Sequence, residues 1–191
     1  MEVRWKAIEA YFKLYTQSIY REIPSYMYFA LLLVAVVGVI LVFSNQKVQQ
    51  KWRAFGRLVF FEYVAFLLCM TVFFRESVEH RSFNLIPFWS YTAENADLQH
   101  SLYVEALMNV LMFVPFGLLA GCAFKRIGWK KMLVATLYLS VLIEVLQFLF
   151  KRGFAEFDDV FHNTLGAVIG FGVYALMAAT VRLILDKRKT I

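Results

Sequence analysis

The chain has 191 residues, of which 61% are apolar and 18% charged, and its mean hydropathy is +0.61. A soluble domain carries roughly a quarter charged and about half apolar residues, so this composition excludes an ordinary water-soluble domain. It indicates an all-α, polytopic membrane bundle. The net charge of +6 lies in short basic loops between apolar runs, a membrane-topology pattern rather than a nucleic-acid-binding face.

Residues 1–23 read as an amphipathic helix. Trp5, Ile8, Phe12, Tyr15 and Ile19 repeat at helical spacing, with Arg4, Lys6, Glu9, Lys13 and Gln17 between them. Such a helix either lies in the membrane interface or packs on the bundle. These residues lack the continuous apolar core of a cleavable signal peptide. Residues 24–191 form the predicted bundle. Its spans are expected at about 26–43, 58–74, 105–124, 132–150 and 160–185. Cys69 and Cys122 both fall inside spans and read as small apolar residues, not metal ligands.

The loops orient these spans. Segments 44–57, 125–131 and the tail after Val181 each carry four Lys or Arg residues, with Asp186 as their only acid. Five spans place all three on one side, which the positive-inside rule assigns to the cytoplasm. The C-terminus is then cytoplasmic. The N-terminal helix, segment 75–104 and loop 151–159 face outward.

The intramembrane polar residues gather towards that outer side. Glu144 and Gln147 share a face of the fourth span, with Ser140 and Lys151 on the same stripe. Glu105 and Asn109 stand near the outer end of the third span, ahead of Pro115 and Gly117, where proline removes a helix hydrogen bond and permits a kink. Asp159, Asn163 and Gly170 lie along the fifth span. Gly166 and Gly170 form a GxxxG pair suited to close helix approach. Segment 75–104 adds Arg75, Glu76, Glu79, His80, Arg81 and Asn84, then the apolar patch around Trp89 and Tyr91.

Ionisable residues within a membrane usually serve a site. Structural roles compete with that reading. Asp158 or Asp159 caps the fifth helix, Arg152 pairs with an aspartate, and Asn163 bonds Glu144 or Gln147. His80 and His162 have no second histidine at ligand spacing, which argues against zinc.

Taken together, the runs RSFNLIPF (81–88), NVLMFVPFG (109–117), SVLIEVLQ (140–147), Arg152 and DDVFHNTLGA (158–167) resemble the VanZ-like family in order and spacing. The resemblance covers about residues 75–174. One departure is Glu156, where the family's loop has aspartate. The resemblance implies a multi-pass protein of the bacterial plasma membrane, associated with glycopeptide resistance of the teicoplanin type.

Two mechanisms follow from the polar cluster. In the first, an outer cavity binds the head of an amphiphile or of a lipid-linked envelope precursor. Arg81 and Arg152 would meet phosphate or carboxylate, Asn84, Asn109, Gln147 and Asn163 would supply hydrogen bonds, and Asp158 would complete the ligand set. In the second, the protein is a membrane enzyme on a lipid-linked envelope substrate. Glu144 would be the general acid or base, with Asp159 also among the catalytic candidates. Glu156, Asp158 and Asp159 would then hold Mg²⁺ or Ca²⁺ through oxygen ligands. The binding reading requires no cofactor.

Overall fold

The structure, a computed structural model, describes residues 48–92, 95–124 and 127–189. The predicted helix over 1–23 and the predicted span at 26–43 lie outside the described residues. Four helices carry the rest. Helix α1 (Val48–Leu68) runs into a π-helical turn, Cys69–Phe73. Helix α2 is Ala96–Ala123, α3 is Trp129–Phe150 and α4 is Phe157–Lys189. Each, α1 together with its π turn, contains a segment long and apolar enough to cross a membrane: Ala54–Phe73, Ala96–Ala123, Trp129–Phe150 and Phe157–Arg188.

These helices are more apolar outside than inside. On α3, Val134, Tyr138, Val141 and Val145 are exposed, whereas Thr136, Ser140, Glu144 and Gln147 are buried. The two sets repeat at helical spacing on opposite faces. In water this pattern would be unstable. In lipid it is favourable, because the apolar face meets acyl chains and the polar face finds partners inside the bundle.

Helix α2 starts at Ala96, earlier than the hydropathy-based estimate of 105. The physical reason is a cap. The side-chain oxygen of Asn95 accepts hydrogen bonds from the backbone N–H groups of Asp97 (2.9 Å) and Leu98 (3.2 Å). Polar residues such as Gln99 and His100 then continue a helix that a hydropathy window reads as loop. The helix also continues through Pro115.

Helices α2 and α4 pack closely along a small-residue seam. A Cβ at Gly166 would stand 2.1 Å from the Val110 carbonyl oxygen, and one at Gly117 would stand 2.0 Å from that of Ala167. The predicted GxxxG pair therefore does pack backbone against backbone. Phe113, Phe116, Ile143, Ala167 and Phe171 fill the core beside it.

A feature outside the helical expectation is a short parallel strand pair, β1 (Ser82–Asn84) and β2 (Phe154–Glu156), in the register Ser82↔Phe154 and Asn84↔Glu156. Its strands are joined by a long connection through α2 and α3, as parallel pairing requires. The pair ties the loop after α1 to the loop between α3 and α4. Val78 N–H reinforces it by donating to the Lys151 carbonyl at 2.8 Å.

Candidate functional site

The polar side chains converge where α1 and α3 end and α2 and α4 begin. Three local devices shape this corner. The first is the π turn after α1, in which Phe74 N–H bonds the Cys69 carbonyl at 2.9 Å. A π turn leaves the helical ladder out of step, and the nearby Thr71 carbonyl receives the Gln147 Nε2 amide at 3.0 Å. The second is the end of α3. Lys151 adopts a left-handed conformation (φ 55°), and Arg152 N–H closes back on the Gln147 carbonyl at 2.8 Å. The third is Gly153, at φ 120°, where a Cβ would stand 2.9 Å from the Arg75 guanidinium. Glycine is required there for its backbone and for the arginine lying over it.

Between these devices lies a cavity of about 300 Å³. Asn109 from α2, Glu144 and Gln147 from α3, and Asp159 and Asn163 from α4 line it together with Arg75. Arg75 Nη2 donates to Glu105 Oε1 at 2.5 Å. Glu144 Oε2 accepts the Glu156 backbone N–H at 2.9 Å. Asn163 Nδ2 donates to Ser140 Oγ at 2.8 Å. Three buried polar atoms on the cavity-lining residues have no hydrogen-bond partner: Asn109 Nδ2, Gln147 Oε1 and Asn163 Oδ1. Such atoms are costly to leave unsatisfied.

A second, apolar hollow of about 440 Å³ opens beside the first. Phe83, Leu85, Val141, Val145 and Phe148 form much of its wall, and Glu144 and Glu156 also line it. Glu144 thus borders both spaces.

Glu156 sits at the β2 end of this arrangement. Burial, together with the neighbouring Glu105 charge, pushes its carboxyl up to about 7, and the hydrogen bond from Trp89 Nε1 opposes the shift. The folded protein therefore binds this proton more tightly than the unfolded chain. Its contribution to stability is fully present below about pH 4.5 and is lost as the pH rises through about 7. Thermal unfolding of wild type and Glu156→Gln, compared from acid to neutral pH, is expected to show wild type losing stability relative to the variant across that window.

The structure brings five of the predicted site residues, Asn109, Glu144, Gln147, Asp159 and Asn163, to one cavity wall. Four others stand elsewhere. Arg81 donates from an exposed position to the Leu149 carbonyl at 3.3 Å. Asn84 Oδ1 accepts Ile86 N–H in its own turn. Arg152 Nη1 donates to the Arg75 carbonyl at 2.7 Å, rather than pairing with an aspartate. Asp158 does not cap α4. Its carboxylate accepts Phe88 N–H (2.6 Å), Ser90 N–H (3.1 Å) and Ser90 Oγ–H (2.5 Å), fixing the Trp89–Tyr91 turn to α4. Asn163 bonds Ser140, not Glu144 or Gln147.

Among the described residues, no group of three or more His, Cys, Asp or Glu side chains is arranged to hold a metal ion. Sequence reasoning missed the Arg75–Glu105 pair and the contact between Tyr91 Oη and His162 Nε2 at 2.6 Å. An arginine directly after an apolar span was a signal for the first. The second has none, because its partners are 71 positions apart.

A match to the VanZ/LLP1 family extends over residues 29–178. The chain belongs to the VanZ/LLP1 family. It is 38% identical over 96 residues to Protein VanZ of Enterococcus faecium. That alignment covers 50% of this chain and 54% of the relative, so the chain matches about half the relative's length. No solved structure matches the chain. The family match and the four apolar helices make this VanZ/LLP1 member a multi-pass membrane protein. The matched range contains every residue of the cavity wall.

Proposed function

We propose that this VanZ/LLP1 member protects the cell against teicoplanin-type glycopeptides, or alters an envelope component they act on, by binding the polar head of an amphiphile in the cavity. The observation that carries this reading is the set of unpartnered amide atoms on Asn109, Gln147 and Asn163, buried beside Glu144 and Asp159. In an apolar bundle such atoms favour a polar guest. The family's association with teicoplanin resistance supplies the biological setting. The basic segments at the opposite end support an orientation with the cavity outward and the C-terminus cytoplasmic. A head from the outer leaflet would then enter without crossing the bilayer.

The test is susceptibility to teicoplanin and to vancomycin in a sensitive Gram-positive host, with wild type and the cavity-wall variants Glu144→Gln and Asn163→Leu at matched membrane levels. Wild type is expected to protect against teicoplanin, and both variants are expected to lose most of that protection. Protection that persists unchanged in both variants would remove the cavity from the mechanism.

A second reading is favoured by one observation, the position of Glu144 on both the cavity and the apolar hollow. There it would serve as general acid or base on a lipid-linked envelope substrate. Retained ligand binding with lost activity in Glu144→Gln would select this reading over simple binding.

A further inference from the structure

We infer that the apolar hollow holds the acyl chain of a single-chain amphiphile whose head, rich in hydrogen-bond donors and free of phosphate, occupies the cavity. This rests on the proposed binding role of the cavity and specifies its ligand class.

The head chemistry follows from the wall. Gln147 is 2% exposed and Asn163 3%, and each leaves a carbonyl oxygen without a donor. Asn109 is 8% exposed and leaves an N–H without an acceptor. The matching guest offers two donors and one acceptor at close range, as hydroxyl, amide and amine groups do. A phosphate offers acceptors almost alone. It would leave the Gln147 and Asn163 carbonyl oxygens unpaired, and the lining Arg75 is already engaged by Glu105. Arg81 and Arg152 donate to the backbone carbonyls of Leu149 and Arg75 and are not in the cavity wall. Acceptors facing acceptors therefore disfavour a phosphate head.

The chain site follows from adjacency. Glu144 lines both spaces. Beyond it, Val141, Val145 and Phe148 of α3 face Phe83 and Leu85 of the β1 loop across the hollow. A head in the cavity thus leaves its tail beside a ready apolar trough. The strand pair closes one side, because Phe83 and Ala155 are partners in register. A lipid-facing helix surface alone would present no such second wall.

The experiment uses the full chain in phosphatidylcholine nanodiscs and two photoreactive probes with the same diazirine-bearing dodecyl chain. One probe ends in glucose and the other in phosphate. The glucoside is expected to cross-link to Val141, Val145 and Phe148, and excess unlabelled dodecyl glucoside should displace it. The phosphate probe should label these positions about tenfold less, the factor that about 1.4 kcal/mol of lost head interactions produces. Val145→Trp, which fills the trough from an exposed position, should abolish this labelling. Asn163→Leu should weaken it.

Labelling of wild type by the glucoside well above that by the phosphate probe, with cross-links mapping away from the trough, would overturn the chain site while leaving the cavity reading intact. Equal labelling by both probes, undiminished by competitor, would overturn the inference and the cavity reading beneath it. Both comparisons are made in wild type, so neither depends on a variant folding.

Discussion

Gly170→Ala is expected to prevent α2 and α4 from packing and to leave little folded protein. A Cβ at position 170 would stand 1.9 Å from the Val114 carbonyl oxygen, 2.8 Å from its carbonyl carbon and 2.9 Å from Leu118 N. All three atoms are backbone, so no side-chain rotation relieves the clash. The helices must move apart, and Gly117 and Gly166, which make the same approach on the same seam, would lose their contacts as well. Overpacking typically costs about 1–3 kcal/mol. A backbone collision shared along a seam belongs at or above the upper end of that range. Gly172→Ala is the matched control. Its Cβ would meet only the Trp129 ring, at 3.8 Å, an ordinary contact, while the helix gains up to about 1 kcal/mol of propensity. Thermal unfolding and size-exclusion profiles in detergent are expected to separate the two variants. Equal stability would mean that α2 and α4 do not pack as described.

Asp158→Ala is expected to release the Trp89–Tyr91 turn from α4. Asp158 is 1% exposed, and its carboxylate holds two backbone N–H groups and one hydroxyl of the Phe88–Ser90 segment. Removing it leaves those donors unpaired, at about 1–3 kcal/mol for each one that stays buried. The chain will avoid much of that cost by letting the turn detach. The expected outcome is a loss of roughly 3 kcal/mol, with fast hydrogen exchange at the Phe88 and Ser90 amides and near-native exchange in the middle of α3. Asp158→Asn keeps one acceptor oxygen and should fall between the two. The same detachment would free Trp89 from Glu156 and Tyr91 from His162. Under the proposed function, teicoplanin protection by Asp158→Ala is therefore expected to follow the exchange rates rather than total protein level.

Much of the cavity was legible in the sequence because the cost of burying polarity in lipid is independent of the details of folding. Glu144, Gln147, Asn109 and Asn163 each interrupt an apolar helical run and Asp159 borders one, and all five line the same space. Helical periodicity put Glu144 and Gln147 on one face, and alternating chain direction put the polar ends of three spans together. Arg81, Asn84, Arg152 and Asp158 carried the same chemical signal for a different reason. Loops need capping and closure, and Arg81, Arg152 and Asp158 supply it through backbone groups remote in sequence, Asn84 through the amide two residues on. Residue type cannot separate a loop fastener from a ligand contact. The early start of α2 was hidden in the same way, since the Asn95 cap acts through two backbone N–H groups that hydropathy ignores.

By itself, the sequence determined the environment, the described spans, the family and the end of the bundle at which polar groups collect. Those properties depend on transfer free energy and local periodicity, which are set by residues close together in the chain. Only the tertiary structure decided which polar groups remain unpaired, that β1 pairs in parallel with β2, and that Glu144 lines both a polar cavity and an apolar trough. Those features depend on contacts between segments up to about 77 positions apart, where small shifts in helix packing choose one partner over another.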